Sequence, residues 1–267
     1  MFRAAPARLL FATAVACLLL ALAVRAGGLD RALFSAINEA AWRWVPPAAL
    51  SCLTILGHGL SATMLLAPTL LRAPSVLAAA LYATPVALLL SRLPKALIDS
   101  PRPAAVLDAA SIHVTGLRLA GHNSLPSGHA ITAFLVVGVL LAAGPSLRLR
   151  PLVQAVIATL GIGVALSRIA VGAHWPSDVL AGAGLGLIAA IAGTQAQRRW
   201  PLTAMPLGRP LLAVIVLACA ATLAFSDLGY PVARPLQRLL AALGAVVAAV
   251  MLWRLREGRG TASGLPG

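Results

Sequence analysis

Charge is scarce in this chain, and negative charge most of all. Only 7 of the 267 residues are acidic and 10% are charged, against 60% hydrophobic residues and a mean hydropathy of +0.92. A sequence of that make-up has too little polar surface for a water-soluble globule, so it reads as an integral membrane protein. The shortage of acids leaves a net charge of +14, which invites a nucleic-acid partner. The cations, however, form no dense run and no aromatic-interleaved stripe, so that class is excluded. Lysine is nearly missing: Lys95 stands alone among 21 cations, and the arginine excess fits a coding bias as well as any partner. The three cysteines, Cys17, Cys52 and Cys219, lie singly inside apolar runs. With no CxxC spacing and no neighbouring His, they read as small buried hydrophobes and exclude a cysteine metal or redox centre. There is no internal repeat, and no low-complexity tail beyond the Gly-rich end after Arg256.

What is present in quantity is long apolar runs. A bilayer crossing takes about 20 residues, and eight stretches qualify: Leu9–Val24, Ala49–Leu71, Pro74–Leu93, His129–Gly144, Leu152–Val171, Ser177–Ala196, Leu211–Phe225 and Leu239–Trp253. Pro, Gly and Arg bound nearly all of them, as at helix ends near an interface. The expected fold is an all-α polytopic membrane helix bundle. The first run has an alternative reading as a signal peptide, since Arg3 and Arg8 precede it and Ala21-Leu22-Ala23 offers a cleavage site.

Orientation follows from the arginines. A cytoplasmic N-terminus places eleven cations inside (Arg3, Arg8, Arg72, Arg148, Arg150, Arg198, Arg199, Arg209, Arg254, Arg256 and Arg259) and ten outside. Three of those ten, Lys95, Arg102 and Arg168, belong to the motifs below; setting them aside favours this orientation. Residues 25–47, between the first two runs, carry Leu29, Leu33, Phe34, Ile37 and Trp42 at helical period among charged residues, the pattern of a helix lying on the outer membrane surface.

Three short segments break the apolar monotony at one end of the bundle: Lys95 with Arg102 and Pro103, then Pro126-Ser127-Gly128-His129, then Ser167-Arg168 followed by His174 and Asp178. Ionisable residues at a membrane boundary are costly, so their clustering signals function. Taken singly each segment has a plain reading: Lys and Arg as interfacial anchors, Ser127 as a helix cap beside a stray His, His174 and Asp178 as a structural pair. Taken together they make a cationic cage around two histidines. Lys95, Arg102 and Arg168 suit a tetrahedral oxyanion. Ser127 and Gly128, opening a helix, add a cap, close backbone approach and the positive end of the helix dipole. His129 would hang beside the anion as a general acid. His174 and Asp178 are four apart and share a face if Pro176 opens the next helix. Asp178 would then accept the Nδ1 proton and leave Nε2 of His174 aimed at phosphorus.

At these eleven positions the chain resembles the type 2 phosphatidic acid phosphatases, or lipid phosphate phosphatases, of the superfamily that also holds vanadium haloperoxidases and acid phosphatases. All three signature motifs occur in their usual order between Lys95 and Asp178, with no departure at any position. The resemblance implies a six-helix phosphatase core, taken here as residues 1–200, with residues 201–267 adding two transmembrane helices and a short tail. It implies His174 as the nucleophile forming a phosphohistidine, His129 as the acid for the leaving alcohol and Asp178 as the orienter. Lys95, Arg102, Ser127, Gly128 and Arg168 are implied as phosphate ligands, with no divalent metal or other cofactor.

The expected activity is hydrolysis of a lipid phosphomonoester or diphosphate, such as phosphatidic acid, phosphatidylglycerol phosphate or undecaprenyl diphosphate. The expected place is a bacterial inner membrane, with the site facing the periplasm. A phosphotransferase that passes the phosphoryl group to a lipid or sugar hydroxyl uses the same motifs and is the alternative. A haloperoxidase is disfavoured by the membrane spans, and a lipid transporter by the intact histidine pair. Beyond the motifs, His122 and Asn123 are candidates for touching substrate, and His58 for facing the same cavity. Gly182 and Gly186 form a GxxxG suited to close packing within the bundle.

Overall fold

The computed structural model describes residues 4–262. Helix predominates among these residues: α1 (Ala4–Ala26), α2 (Asp30–Trp44), α3 (Pro47–Ile55), α4 (Gly59–Leu66), α5 (Thr69–Arg72), α6 (Pro74–Leu97), α7 (Pro103–Val106), α8 (Gly128–Leu147), α9 (Pro151–Ala170), α10 (Pro176–Arg199), α11 (Gly208–Phe225) and α12 (Arg234–Ala262). The Gly-rich end after Arg256 is thus helical as far as Ala262, and residues 263–267 lie outside the described part.

Six of these helices are long and apolar enough to cross a membrane. Two of the eight expected spans differ from a plain crossing. The apolar part of α8, Gly128–Gly144, is short for a crossing. The second expected span, Ala49–Leu71, is broken: its halves are bent by 73° between Ile55 and Gly59. Gly57 explains the bend, because a Cβ there would meet Val164 at 2.8 Å and His129 at 3.0 Å. The break lets the chain approach both α9 and α8 where a straight helix of ordinary residues would be held away.

Helix association in lipid draws on close packing rather than on exclusion of water, and small residues let backbones meet. α10 shows this on three sides. A side chain at Gly182 would strike the Ser127 carbonyl at 2.6 Å and Ala130 at 2.8 Å, Gly186 faces Ile131 and Leu135 of the same helix α8, and Gly184 sits against Ala14 and Leu18 of α1. Gly193 lies against Ala79 and Ala83 of α6. α10 is therefore the central post, and the GxxxG pair serves packing inside the bundle. α1 packs on it through the buried Ala14 and Ala21. α11 and α12 pair with each other and share one apolar cluster with α4, α5, α6, α8 and α10, through residues such as Met64, Leu70, Val216, Leu223 and Ala248.

α2 lies across the end of the bundle where the motifs converge. Phe34 is fully buried and meets Trp175 edge-on at 5.3 Å, while Leu29 and Leu33 point outward. Asn38 is buried with all of its amide in use: Nδ2 donates to the carbonyls of His113, Ile169 and Ala170, and Oδ1 accepts from the His113 amide at 2.9 Å. The bonds to Ile169 and Ala170 tie α2 to the C-terminus of α9, where helix carbonyls lack their full set of intrahelical partners. At its start α2 turns Asp30 toward α10, where the carboxylate accepts from the Ser177 amide at 2.8 Å and hydroxyl at 2.6 Å. The amphipathic helix expected from the sequence thus fixes the ends of α9 and α10, the two helices that frame the last motif.

Candidate active site

The site gathers at one end of the bundle because each motif sits where a helix begins or stops. Lys95 lies in the last turn of α6, Ser127 is the residue before α8, Arg168 lies in the last turn of α9 and Asp178 in the first turn of α10. The long connection between α6 and α8 closes over them through a short parallel bridge, Ser100 to Asn123. The amides of Ser100 and Arg102 donate to His122 and Gly121, and that of Ser124 donates to Ser100, all at 2.9–3.0 Å. This pairing holds Arg102 on one strand and Ser124 on the other at fixed register.

Arg102 reaches His174 from there. Its Nη1 donates to Nε2 of His174 at 3.3 Å and to the Ala173 carbonyl at 3.0 Å, and its Nε donates to Oδ1 of Asn123 at 3.3 Å. A guanidinium has no lone pair to offer, so Nε2 is the accepting, unprotonated nitrogen in this contact. Nδ1 then carries the proton. The sequence-based expectation gave that proton directly to Asp178, and here the structure differs. Nδ1 and Oδ2 of Asp178 are 3.5 Å apart, while Ser124 Oγ is 3.3 Å from Nδ1 and donates to Oδ2 at 2.5 Å. The hydroxyl of Ser124 takes one proton and gives another, completing a chain from imidazole to carboxylate. Oδ2 also accepts from the Trp175 amide at 2.9 Å, which seats the carboxylate in the first turn of α10.

Ser127 caps α8 as expected, its Oγ accepting from the Ala130 amide at 3.5 Å. Its own amide is engaged by the Asp178 carbonyl at 3.0 Å and is not offered to a ligand. With the Ala130 amide taken by this cap, the amides of Gly128 and His129 are the donors left at the helix N-terminus. His129 follows at the lip of a cavity of about 500 Å³ that runs down between α4, α6, α8 and α11 past Leu60, Leu88, Leu135 and Cys219. His58 opens on the same cavity, its ring 6.3 Å from that of His129.

The three cations complete the cage. Arg168 is 2% exposed, His174 2% and Asp178 0%, so these groups are out of water. Nη1 of Arg168 donates to Thr54 Oγ1 at 2.6 Å and to Tyr230 Oη at 2.9 Å, while its Nε has no partner. Among the described residues no carboxylate forms an ion pair with Lys95, Arg102 or Arg168. Burial and then the neighbouring Arg168 lower the pKa of Arg102 from its ordinary value, and Lys95 lies within range of both arginines. Burial, followed by the fields of Arg102, Arg168 and Lys95, holds His174 well below the usual histidine range. The site is thus a dry, positively charged pocket with a neutral imidazole inside it.

All eight expected site residues are brought together. His122 is exposed and pairs with Asp99 at 2.8 Å instead of entering the cage, and Asn123 buttresses Arg102. Ser124, Thr54 and Tyr230 were not legible in the sequence, because isolated hydroxyls carry no spacing signature. Nor did it signal Arg25, whose Nη1 stands 4.0 Å from Oδ1 of Asp178. No group of three or more His, Cys, Asp or Glu side chains is gathered as a metal site among the described residues.

The all-helical membrane fold and the comparisons support a phosphatase. Residues 73–201 match the family model of the PAP2 superfamily. The chain is also similar to the crystal structure of Aquifex aeolicus LpxE, at 25% identity and a TM-score of 0.55, over 62% of this chain and 95% of that one. No curated protein matches it. The family-model match and this neighbour together support a membrane lipid phosphatase.

Proposed function

We propose that this protein hydrolyses a lipid phosphomonoester or diphosphate by way of a phosphohistidine on His174, at the outer face of a bacterial inner membrane. The observation that carries the reading is Arg168: a buried guanidinium with only neutral partners and a spare N–H, beside two more uncompensated cations. Desolvated charge of one sign is costly until an anion joins it, and a phosphate dianion matches three donors of this kind.

Nε2 of His174 attacks phosphorus as the bond to the leaving oxygen breaks. His129 donates a proton to that oxygen, and the lipid alcohol departs, or the lipid monophosphate where the substrate is a diphosphate. Water then attacks the phosphohistidine, His129 takes its proton, and inorganic phosphate leaves with the imidazole restored. Ser124 and Asp178 hold Nδ1–H throughout and stabilise the charge that His174 acquires when phosphorylated. Lys95, Arg102, Arg168 and the Gly128 end of α8 bind the phosphate oxygens, most strongly in the trigonal-bipyramidal transition state. The apolar cavity beneath His129 suits the acyl or polyprenyl chain of the leaving group.

Phosphatidic acid, phosphatidylglycerol phosphate and undecaprenyl diphosphate, labelled on the scissile phosphate and supplied in detergent with EDTA, test the proposal. The expected result is release of inorganic phosphate from at least one of them, a label trapped on the protein by quenching without acid, and loss of both in His174→Gln. Turnover in His174→Gln at the parent rate would falsify the nucleophile, and activity that disappears with EDTA and returns with Mg²⁺ would refute the metal-free reading.

A further inference from the structure

α11 and α12 lie outside the segment 73–201 that carries the family motifs, yet their connection reaches the cage. The turn after α11 is tied down locally. Asp227 accepts from the Gly229 amide at 2.9 Å, and Gln237 of α12 donates back to the carbonyls of Leu223 and Ser226 at 2.6 and 2.7 Å. Gly229 takes a positive φ of 78°, which redirects the chain so that Tyr230 turns toward the bundle. Its ring is seated against Gly116, where any side chain would collide with Tyr230 at 2.6 Å. The hydroxyl then accepts from Nη1 of Arg168 at 2.9 Å and keeps its own proton available for a second bond. Tyr230 also lies within electrostatic range of Arg102.

We propose that Tyr230 is a positioning residue of the phosphate cage, holding the Arg168 guanidinium toward the anion, and that the α11–α12 hairpin is through this contact a working part of the site. A long, flexible Arg in a dry pocket has several rotamers, and a neutral hydroxyl fixes one without cancelling the charge the ligand needs. An acidic residue in the same place would neutralise Arg168 and compete with phosphate. Thr54, at the break of the second span, supports the same nitrogen from the opposite element at 2.6 Å. The inference rests on the reading that Arg168 binds phosphate.

The experiment uses the full chain in detergent and measures inhibition by orthovanadate and by inorganic phosphate, KM and kcat for the best lipid substrate, and the thermal midpoint without ligand. Tyr230→Phe keeps the ring and removes the hydroxyl. The expected result is about a tenfold weaker inhibition by both anions and a comparable rise in KM, the scale of one hydrogen bond to a charged group, with the thermal midpoint unchanged. A lowered midpoint with unaltered anion affinity would show that Arg168 merely anchors the hairpin and would overturn the proposal. Thr54→Val is the second variant: weakened inhibition there but not in Tyr230→Phe assigns the hold to α3 alone and also overturns it. Arg168→Ala is the control, and undiminished vanadate affinity in that variant would remove the cage reading itself and this inference with it.

Discussion

Ser124 Oγ donates to Oδ2 of Asp178 at 2.5 Å while lying 3.3 Å from Nδ1 of His174. The hydroxyl therefore occupies the place that a direct His-to-Asp contact was expected to fill. A serine in this position fixes the tautomer as well as a carboxylate would, and it lets one buried charge serve both the imidazole and the start of α10.

Ser124→Ala leaves Nδ1–H and Oδ2 facing each other at 3.5 Å with no bridging hydroxyl. Losing the partner of a buried polar group costs about 1–3 kcal/mol, so phosphoenzyme formation should slow by about 10–100-fold with little change in KM. Single-turnover kinetics measures this. A variant indistinguishable from the parent would mean that Asp178 closes the gap alone.

His129 and His174 separate by leaving group. General acid catalysis is worth about 10²–10⁴-fold, and an alkoxide needs the proton where p-nitrophenolate does not. His129→Ala should therefore be far more damaging for a lipid phosphate than for p-nitrophenyl phosphate, and His174→Ala equally damaging for both. Equal losses for His129→Ala would make that residue a phosphate ligand.

Protonation of His174 gives a pH dependence of known sign. Its pKa in the folded protein is depressed from about 6.5 by burial and by Arg102, Arg168 and Lys95. As pH falls through 6.5, the unfolded chain takes up a proton that the native site refuses, so stability drops toward acid until the folded pKa is passed. His174→Gln should lessen this acid loss of thermal midpoint, and ¹⁵N-histidine spectra of the ligand-free parent at pH 6 should show His174 neutral. A resonance half-protonated at pH 6.5 would contradict the desolvated site.

Gly182 offers a test of the post on which the site is built. A valine there would press on the Ser127 carbonyl and Ala130, 2.6 and 2.8 Å from the added carbon. Overpacking of this kind costs about 1–3 kcal/mol. It should also shift the N-terminus of α8, so both thermal stability and phosphate affinity should fall in Gly182→Val. Ala at position 187, which only empties a Leu site on the same helix, should lower stability and leave phosphate affinity alone.

The sequence by itself determined that the chain lives in a membrane and where most of its apolar helices run, and it singled out eight residues that the fold brings to one end of the bundle. Apolar runs declare themselves by length, and Lys95, Arg102, Ser127, Gly128, His129, Arg168, His174 and Asp178 stand at spacings that helix ends convert into proximity. The break at Leu56-Gly57-His58 was not legible, because a Gly and a His inside one long apolar run are compatible with a continuous span and the reason for the bend is Val164 and His129, more than 70 residues away in the chain. The same holds for Ser124, Thr54, Tyr230 and Arg25. A hydroxyl or a cation has meaning only through what it touches, and these contacts join segments separated by 50 to over 150 positions. Only the tertiary structure, by folding the hairpin α11–α12 and the broken second span onto the ends of α9 and α10, decided that they stand around Arg168, His174 and Asp178.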